Sequence, residues 1–384
     1  MEIFLKFSEK EHTMSQYKYE PLISIITATY NHENYIAECI ESVLCQTYEN
    51  WEMIIVDDAS TDKTPYIVEQ YAKRDNRIKF IRNEKNNGPL FFDVTLNLAL
   101  KEAKGEWIGW LDGDDVFIQK SLEIRVNALN ELSEDKRNNI SMIYGRYGRI
   151  WMDSKSIDLP IPYYENPKYS PIIRNAPAGK ALIWLLQGFN FIPAASVLLN
   201  KEKLLKIGGF KQIIRELRGV DYCTWTFLAL EGEWLYIPKV LYFWRRHTNS
   251  ITMQYHEDIM RYFIQFSEYF WEKFHKEILD KLDGKYIEFG KCVGVQAKLE
   301  LAKLAILKGD FKTSGKLLKE IAECPYIEEI FPDIFKKKLK VVKFAHSLRM
   351  PFILKIAIEL KRATTEKKYA EYKPFFFKDL KDID

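Results

Sequence analysis

The sequence is poor in the features that would assign it to several classes outright. Its five cysteines, Cys39, Cys45, Cys223, Cys292 and Cys324, are odd in number and scattered, with no C-x-x-C pair. That spacing excludes a zinc ribbon and a dense disulfide framework, and reduced thiols are expected. No apolar run reaches the length of a membrane span without charges. Met1 to Glu20 mixes charges throughout and lacks the apolar core of a signal peptide. A cytoplasmic protein is the expectation from these absences.

Net charge is also scarce: 57 Lys and Arg against 54 Asp and Glu leave a formal +3, too little to bind a polyanion with the whole surface. The balance hides an asymmetry. Residues 336–368 hold eleven Lys and Arg against Glu359 and Glu366, a net +9, so the rest carries 46 basic against 52 acidic groups, near −6. At 384 residues and 47% hydrophobic content, the chain can bury a full core in two or three domains.

Residues 21–110 alternate between strand and helix periodicity. Leu22–Thr27, Met53–Val56, Ile78–Ile81 and Trp107–Leu111 read as buried strands. Helices are expected over Tyr35–Cys45, after the N-cap choices Ser60-Thr61-Asp62, and over Asp93–Lys104. Such units with short connections predict a doubly wound, mostly parallel sheet. Ligands bind such sheets at the carboxyl ends of the strands. Ala28 to Asn31, Asp57-Asp58 and Asp112 to Asp115 should therefore line one crevice. A mixed region follows at about 141–250, with strands at Met142–Tyr144, Ser196–Leu199 and Trp234–Ile237 and an aromatic-rich helix near Asp221–Leu230. From about Met253 the pattern is nearly all helical, with a hairpin of Ala297–Leu307 and Phe311–Ala322 around Gly309-Asp310.

Asp112-Gly113-Asp114-Asp115 carries the most chemistry. Three carboxylates within four residues, directly after an apolar run, repel one another unless a cation neutralises them. Hard oxygen ligands suit Mg²⁺ or Mn²⁺, ions commonly shared with substrate phosphates. A solvated acidic turn would have the same composition.

Ile23–Asn31 (ISIITATYN), Ser42–Thr47 (SVLCQT), Ile55–Asp62 (IVDDASTD) and Ala103–Asp115 (AKGEWIGWLDGDD) resemble the family 2 nucleotide-sugar glycosyltransferases of GT-A fold. The resemblance extends through Gly208-Gly209-Phe210, Asp221 and Trp244–Ser250 and covers about residues 21–255. It implies a GT-A sheet, a nucleotide-sugar-binding half at 21–115 and an acceptor-binding half at 116–255. Residues 1–20 would be an N-terminal extension and 256–384 an α-helical C-terminal region containing the basic segment. It implies that Asp58 accepts a hydrogen bond from the donor's base, most often uracil, with Asp57 supporting the turn; an Asx-turn capping the next helix is the alternative. Ala28 and Tyr30 would contact the nucleoside through backbone and ring. Asp112 would meet the ribose or reach the metal through water, Asp114 would bind Mn²⁺ or Mg²⁺, and Asp115 would orient the loop. His247 would reach the metal or diphosphate unless it is a solvated neighbour of Arg245 and Arg246, either of which could pair with phosphate oxygens.

Asp221 is the implied catalytic base of an inverting transfer, its alternative being a helix N-cap. The implied activity is a metal-dependent, inverting hexosyl transfer from a nucleotide diphosphate sugar, most often UDP-linked, to a hydroxyl of a glycan or lipid-linked glycan. Two features depart from the family: Leu96 stands where an Arg is frequent, and the loop Gly88–Phe92 is apolar. A non-catalytic sugar-nucleotide-binding scaffold is the alternative. A nucleotidyltransferase is a further one, but Thr27–Asn34 holds neither the Gly nor the Lys of its phosphate loop. The basic segment, including Val341–Lys361, reads either as a helix docked on the catalytic domain or as one lying on an anionic membrane at the inner face of the cell. No nucleic-acid partner is expected.

Overall fold

The computed structural model describes residues 19–151, 157–158, 178–247, 250–281, 287–331 and 333–359. Most of the expected N-terminal extension, Thr248-Asn249 and 360–368 of the basic segment lie outside the described residues.

Strands β1 (Ile23–Thr29), β2 (Trp51–Asp57), β3 (Ile78–Arg82) and β4 (Trp107–Trp110) alternate with helices Ile36–Leu44, Thr64–Arg74 and Phe92–Glu102. They pair in parallel in the order β3-β2-β1-β4. All seven residues of β1 are buried, as a strand covered on both faces requires, which is why it reads as a continuous apolar run.

The second half of the sheet is mixed. Strands β5 (Val116–Phe117), β6 (Ile140–Trp151), β7 (Ile157–Asp158), β8 (Leu198–Asn200) and β9 (Glu233–Arg246) extend it to β3-β2-β1-β4-β8-β6-β9-β5, with β7 on β6. β8 runs antiparallel to both β4 and β6, and β9 runs parallel to β6. Two reversals restore the original direction, so β9 ends at the same edge of the sheet as β1, β2 and β4. The end of β9 and the acidic loop are thereby neighbours.

β6 and β9 are much longer than their apolar patches suggested. Gly145, Arg146 and Gly148 interrupt the pattern in β6, and Pro238 interrupts β9. The register passes from Gly145↔Ile237 to Arg146↔Val240, so a bulge leaves Pro238 and Lys239 unpaired and the strand continues.

The helical region does not form a core of its own. One apolar cluster includes Ile26 and Ile54 of the sheet, Tyr222 and Trp225 of helix Val220–Glu231, and Leu299, Ile321 and Val342 beyond. Helix His256–Lys281 joins the two sets: the Phe263 ring lies 4.1 Å from Tyr222 and the Phe270 ring 5.1 Å from Phe227. Helices Val295–Leu307, Phe311–Ala322 and Asp333–Ser347 follow, and a last one covers 351–359. Phe335 and, within the described part of the basic segment, Leu339, Val342, Ala345 and Leu354 are buried in the shared cluster, so residues 336–359 dock on the body of the protein. No described helix is long and apolar enough to cross a membrane.

The expectation of five unpaired thiols needs correction. Cys292 and Cys324 form a disulfide with their Cα atoms 4.7 Å apart, while Cys39, Cys45 and Cys223 are unbridged. Sequence spacing excluded a motif but could not reveal this pair. The helical hairpin returns the end of Phe311–Ala322 to the turn at Phe289–Cys292 and so brings the two sulfurs together.

Candidate active site

The crevice at the carboxyl edge of the sheet begins with two interlocked turns. After β1, Asn31 adopts φ 53°, a left-handed conformation that asparagine tolerates. Its N–H donates to Ser60 Oγ at 2.9 Å, and its side-chain oxygen accepts from Thr61 N at 2.8 Å. His32 N donates to Thr64 Oγ1 at 2.8 Å. The ends of β1 and β2 are thus joined without using the expected site carboxylates. Tyr30 is left exposed beside them, and Ala28 is buried, its carbonyl accepting from Gly113 N at 3.2 Å.

Asp57 is fully buried and accepts from Ser60 N at 3.0 Å, from the Ser60 hydroxyl, and from Arg82 in an ion pair of 3.3 Å. Burial raises its pKa despite these bonds. These bonds close a turn onto Ser60 but do not cap the next helix; the Asx-turn ahead of Thr64–Arg74 is made by Asp62, whose Oδ1 accepts from Thr64 N at 2.9 Å. Asp58 accepts from Asn83 Nδ2 at 2.7 Å, from the backbone N–H groups of Asn87 and Gly88 at 3.0 Å each, and from Thr95 Oγ1 at 3.3 Å. A nucleobase N–H reaching Asp58 would have to compete with these donors, which hold the 83–88 loop in place.

The acidic loop is anchored at both ends, by β4 on β1 and by β5 on β9. A Cβ on Gly113 would sit 2.7 Å from Thr29 Oγ1 and 2.9 Å from His32 Nδ1, so only glycine fits there. The three carboxylates diverge in environment. Asp112 accepts from Trp110 Nε1 at 2.8 Å, and burial, with the charges of Asp114 and Asp221, pushes its pKa up to about 7. Asp114 is also penalised by burial, yet nearby His32 and the hydrogen bond from His247 hold it below the usual carboxylate range. His247 Nε2 lies 2.8 Å from Asp114 Oδ2, with the Tyr35 ring 5.2 Å from the imidazole. Asp115 faces inward and accepts from Arg245 N at 2.8 Å; burial and its two acidic neighbours raise its pKa well above normal.

Arg245 and Arg246 part company. The Arg245 guanidinium is fully buried; it donates to the Asp114 carbonyl at 2.8 Å and pairs with Glu38. In this arrangement it braces the acidic loop and does not present itself to a diphosphate. Arg246 is half-buried and stacks on Trp244 at 4.6 Å.

Asp221, 109 residues after Asp112 in the chain, reaches the same crevice in the first turn of helix Val220–Glu231. Gly219, not Asp221, occupies the N-cap. Asp221 Oδ1 accepts from Tyr222 N at 2.7 Å, and Oδ2 accepts from Asn190 Nδ2 at 2.6 Å. Burial raises its pKa to about 6 while both bonds oppose the rise. Asn190 is itself oriented, because its Oδ1 accepts from Ile192 N at 3.1 Å.

Asn190, His32 and Glu38 were not singled out from the sequence. His32 stands in Asn31-His32-Glu33-Asn34, whose polar composition signals only a turn, and Asn190 and Glu38 have no local pattern to mark them. The structure also accounts for Leu96: it is fully buried in the core, while Asn97 clasps Phe210 through Nδ2 to O at 2.8 Å and N to Oδ1 at 2.9 Å. The apolar loop is held from the other side. Gln212 Nε2 donates to Leu90 O at 2.7 Å, and Arg215 pairs with Asp93 at 2.6 Å.

Among the described residues, no three His, Cys, Asp or Glu side chains form a ready-made metal ligand set. The donors present, one carboxylate and one imidazole at 2.8 Å beside further carboxylates, suit a cation that completes its shell with substrate phosphates and water.

A family model described as "Glycosyl transferase family 2" matches residues 24–174. The Bacillus subtilis (strain 168) protein TuaG, whose name carries a proposed role as a teichuronic acid biosynthesis glycosyltransferase, is 35% identical over 235 residues, 61% of this chain and 82% of that protein. The Escherichia coli protein WfgD, a UDP-Glc:alpha-D-GlcNAc-diphosphoundecaprenol beta-1,3-glucosyltransferase, is 37% identical over 158 residues, 41% of this chain and 57% of its own length. Among solved structures, the mannosyltransferase PcManGT from Pyrobaculum calidifontis, in complex with GDP-Man and Mn²⁺, superposes with a TM-score of 0.52 at 17% identity. The match covers 92% of this chain and 89% of that one, a likeness of fold alone.

Proposed function

The chain belongs to glycosyl transferase family 2 and has a GT-A-type sheet followed by a helical C-terminal region, and from that premise we propose that it is an inverting, metal-dependent hexosyltransferase. Its donor would be a nucleotide diphosphate sugar, UDP-linked, and its acceptor a hydroxyl of a lipid-linked or growing surface glycan. The observation that carries the reading is the meeting of Asp112, Asp114, His247 and Asp221, from three distant parts of the chain, at one edge of the sheet. The names of WfgD and TuaG support the donor and acceptor classes.

Asp114 and His247 would hold Mn²⁺ or Mg²⁺, which when bound offsets negative charge on the departing diphosphate. Arg246 would contact the diphosphate from the end of β9. Tyr30 and the backbone of Ala28 would receive the nucleoside, with Asp112 toward the ribose. The Asp57 and Asp58 turns hold the walls of that pocket.

Asp221 would accept the proton of the acceptor hydroxyl as the oxygen attacks the anomeric carbon and the bond to the diphosphate breaks. A pKa near 6 leaves this carboxylate mostly ionised at neutral pH yet basic enough to take a proton. Asn190 keeps Oδ2 in place, and inversion needs no second nucleophile.

Thermal shifts with UDP, GDP, CDP and dTDP, each with Mn²⁺, Mg²⁺ or EDTA, test this reading. One nucleotide should stabilise the protein, and the effect should vanish in EDTA. Stabilisation by none of them, with or without metal, would refute it.

A further inference from the structure

Helix Asp333–Ser347 carries two apolar stripes, whereas a surface helix normally carries one. The first, Phe335, Leu339, Val342 and Ala345, is buried in the shared core. The second, Val341 and Phe344 continued by Leu348 in the turn just past the helix end, also recurs at three- and four-residue spacing, with Val341 and Phe344 on the side of the helix opposite Leu339. These three are 38%, 57% and 48% exposed. The next helix, 351–359, repeats the arrangement: Leu354 faces the core, and Phe352 and Ile356 are 49% and 52% exposed on the opposite side.

Charge is distributed to match. Lys336 turns back to Glu328 at 2.9 Å, and Lys338 pairs with Glu300. Lys337, Lys340, Lys343, Arg349 and Lys355 are exposed alongside the outer stripe, and within 334–359 only Glu359 is acidic. The result is an outward apolar ridge flanked by cations on a helix already seated by its other face.

We propose that this outer face of the two C-terminal helices docks the protein on an anionic phospholipid surface. Phe344, Leu348, Phe352 and Ile356 enter the headgroup region, and the lysines meet lipid phosphates. A second copy packed about a two-fold axis would set these cations against themselves. Residues 360–384 carry seven Lys and Arg against five Asp and Glu, so they too are net basic and a poor cover for a basic face. An anionic bilayer satisfies both components of the face at once. This inference is independent of the donor and metal assignments.

The test is co-sedimentation of the full chain with phosphatidylcholine vesicles and with vesicles containing about one-third phosphatidylglycerol, at low and high salt. Capture by the anionic vesicles alone is expected, weakening in high salt. The double variants F344E/F352E and K337E/K340E should each lower vesicle affinity by about tenfold or more, since one surface lysine contributes roughly fivefold. Both should keep the wild-type melting temperature, because all four side chains are exposed. Equal capture by neutral vesicles, no capture, or capture unchanged in both variants would overturn the proposal. So would a wild-type dimer that F344E/F352E converts to monomer, which would assign the face to a second copy.

Discussion

Asn190 donates its side-chain amide to the Asp221 carboxylate at 2.6 Å, and the direction of that bond is set by a third group. Because Ile192 N–H can only donate, it claims Asn190 Oδ1 and turns Nδ2 toward Asp221. A hydrogen bond to the ionised form favours ionisation, so Asn190 opposes the rise that burial imposes. Asn190→Ala should therefore move the acid limb of the pH–rate profile, expected near pH 6, upward by about one unit. Below that limb the same shift lowers kcat about tenfold. A uniform loss across pH with an unmoved limb would reduce Asn190 to a structural role.

Asp221→Asn should lower kcat by roughly a thousandfold while leaving nucleotide-induced stabilisation intact. A binding module would show no activity in the wild type to lose. Stability supplies a second readout. The folded pKa of Asp221, about 6, lies above its unfolded value, so its contribution is complete below pH ~4 and lost as pH rises through about 6. The variant escapes that loss. Urea titrations at pH 4 and pH 8 should show the stability of Asp221→Asn gaining on wild type by about 2–3 kcal/mol between the two.

His247→Ala and Asp114→Asn should each abolish the metal-dependent part of nucleotide stabilisation, because these side chains lie 2.8 Å apart. Direct Mn²⁺ titration in the presence of nucleotide diphosphate should weaken by at least about tenfold, as expected when a ligand or its partner is removed. Metal binding unchanged in both variants would dissociate the pair from the metal.

Gly113→Ala should disturb the acidic loop without touching a carboxylate. The added Cβ would meet Thr29 Oγ1 at 2.7 Å and Thr29 Cβ at 2.8 Å, so the loop or the end of β1 must shift. We expect a cost of about 1–3 kcal/mol in denaturant unfolding and loss of metal-dependent nucleotide binding. A variant that binds nucleotide and Mn²⁺ normally would show that the close approach is dispensable.

Reducing Cys292–Cys324 should lower the melting temperature, since the bridge closes a loop with a sequence separation of 32. The chain-entropy account puts its contribution at up to about 4 kcal/mol. Cys292→Ser should melt like the reduced wild type and ignore dithiothreitol. An equal effect of dithiothreitol on both proteins would place the sensitive thiol elsewhere.

The sequence by itself determined the first half of the sheet and what stands at its strand ends. Buried strands between helices leave continuous apolar runs that stop where polar residues begin, so β1, β2 and β4 and the groups after them were legible within a few residues. Tertiary structure decided the rest, because each remaining feature depends on contacts between distant segments. The inserted antiparallel β8 brings the end of β9 beside Asp114, and a bulge carries β9 past Pro238. Pairing with Glu38 and with the Asp114 carbonyl turns the buried Arg245 inward, although its neighbour Arg246 has the same charge. Asn190 meets Asp221 across 31 residues, and Cys292 meets Cys324 across 32, with no local periodicity to announce either. Composition could register a basic, apolar C-terminal segment, but only packing could divide its residues between a stripe in the core and a second one facing out.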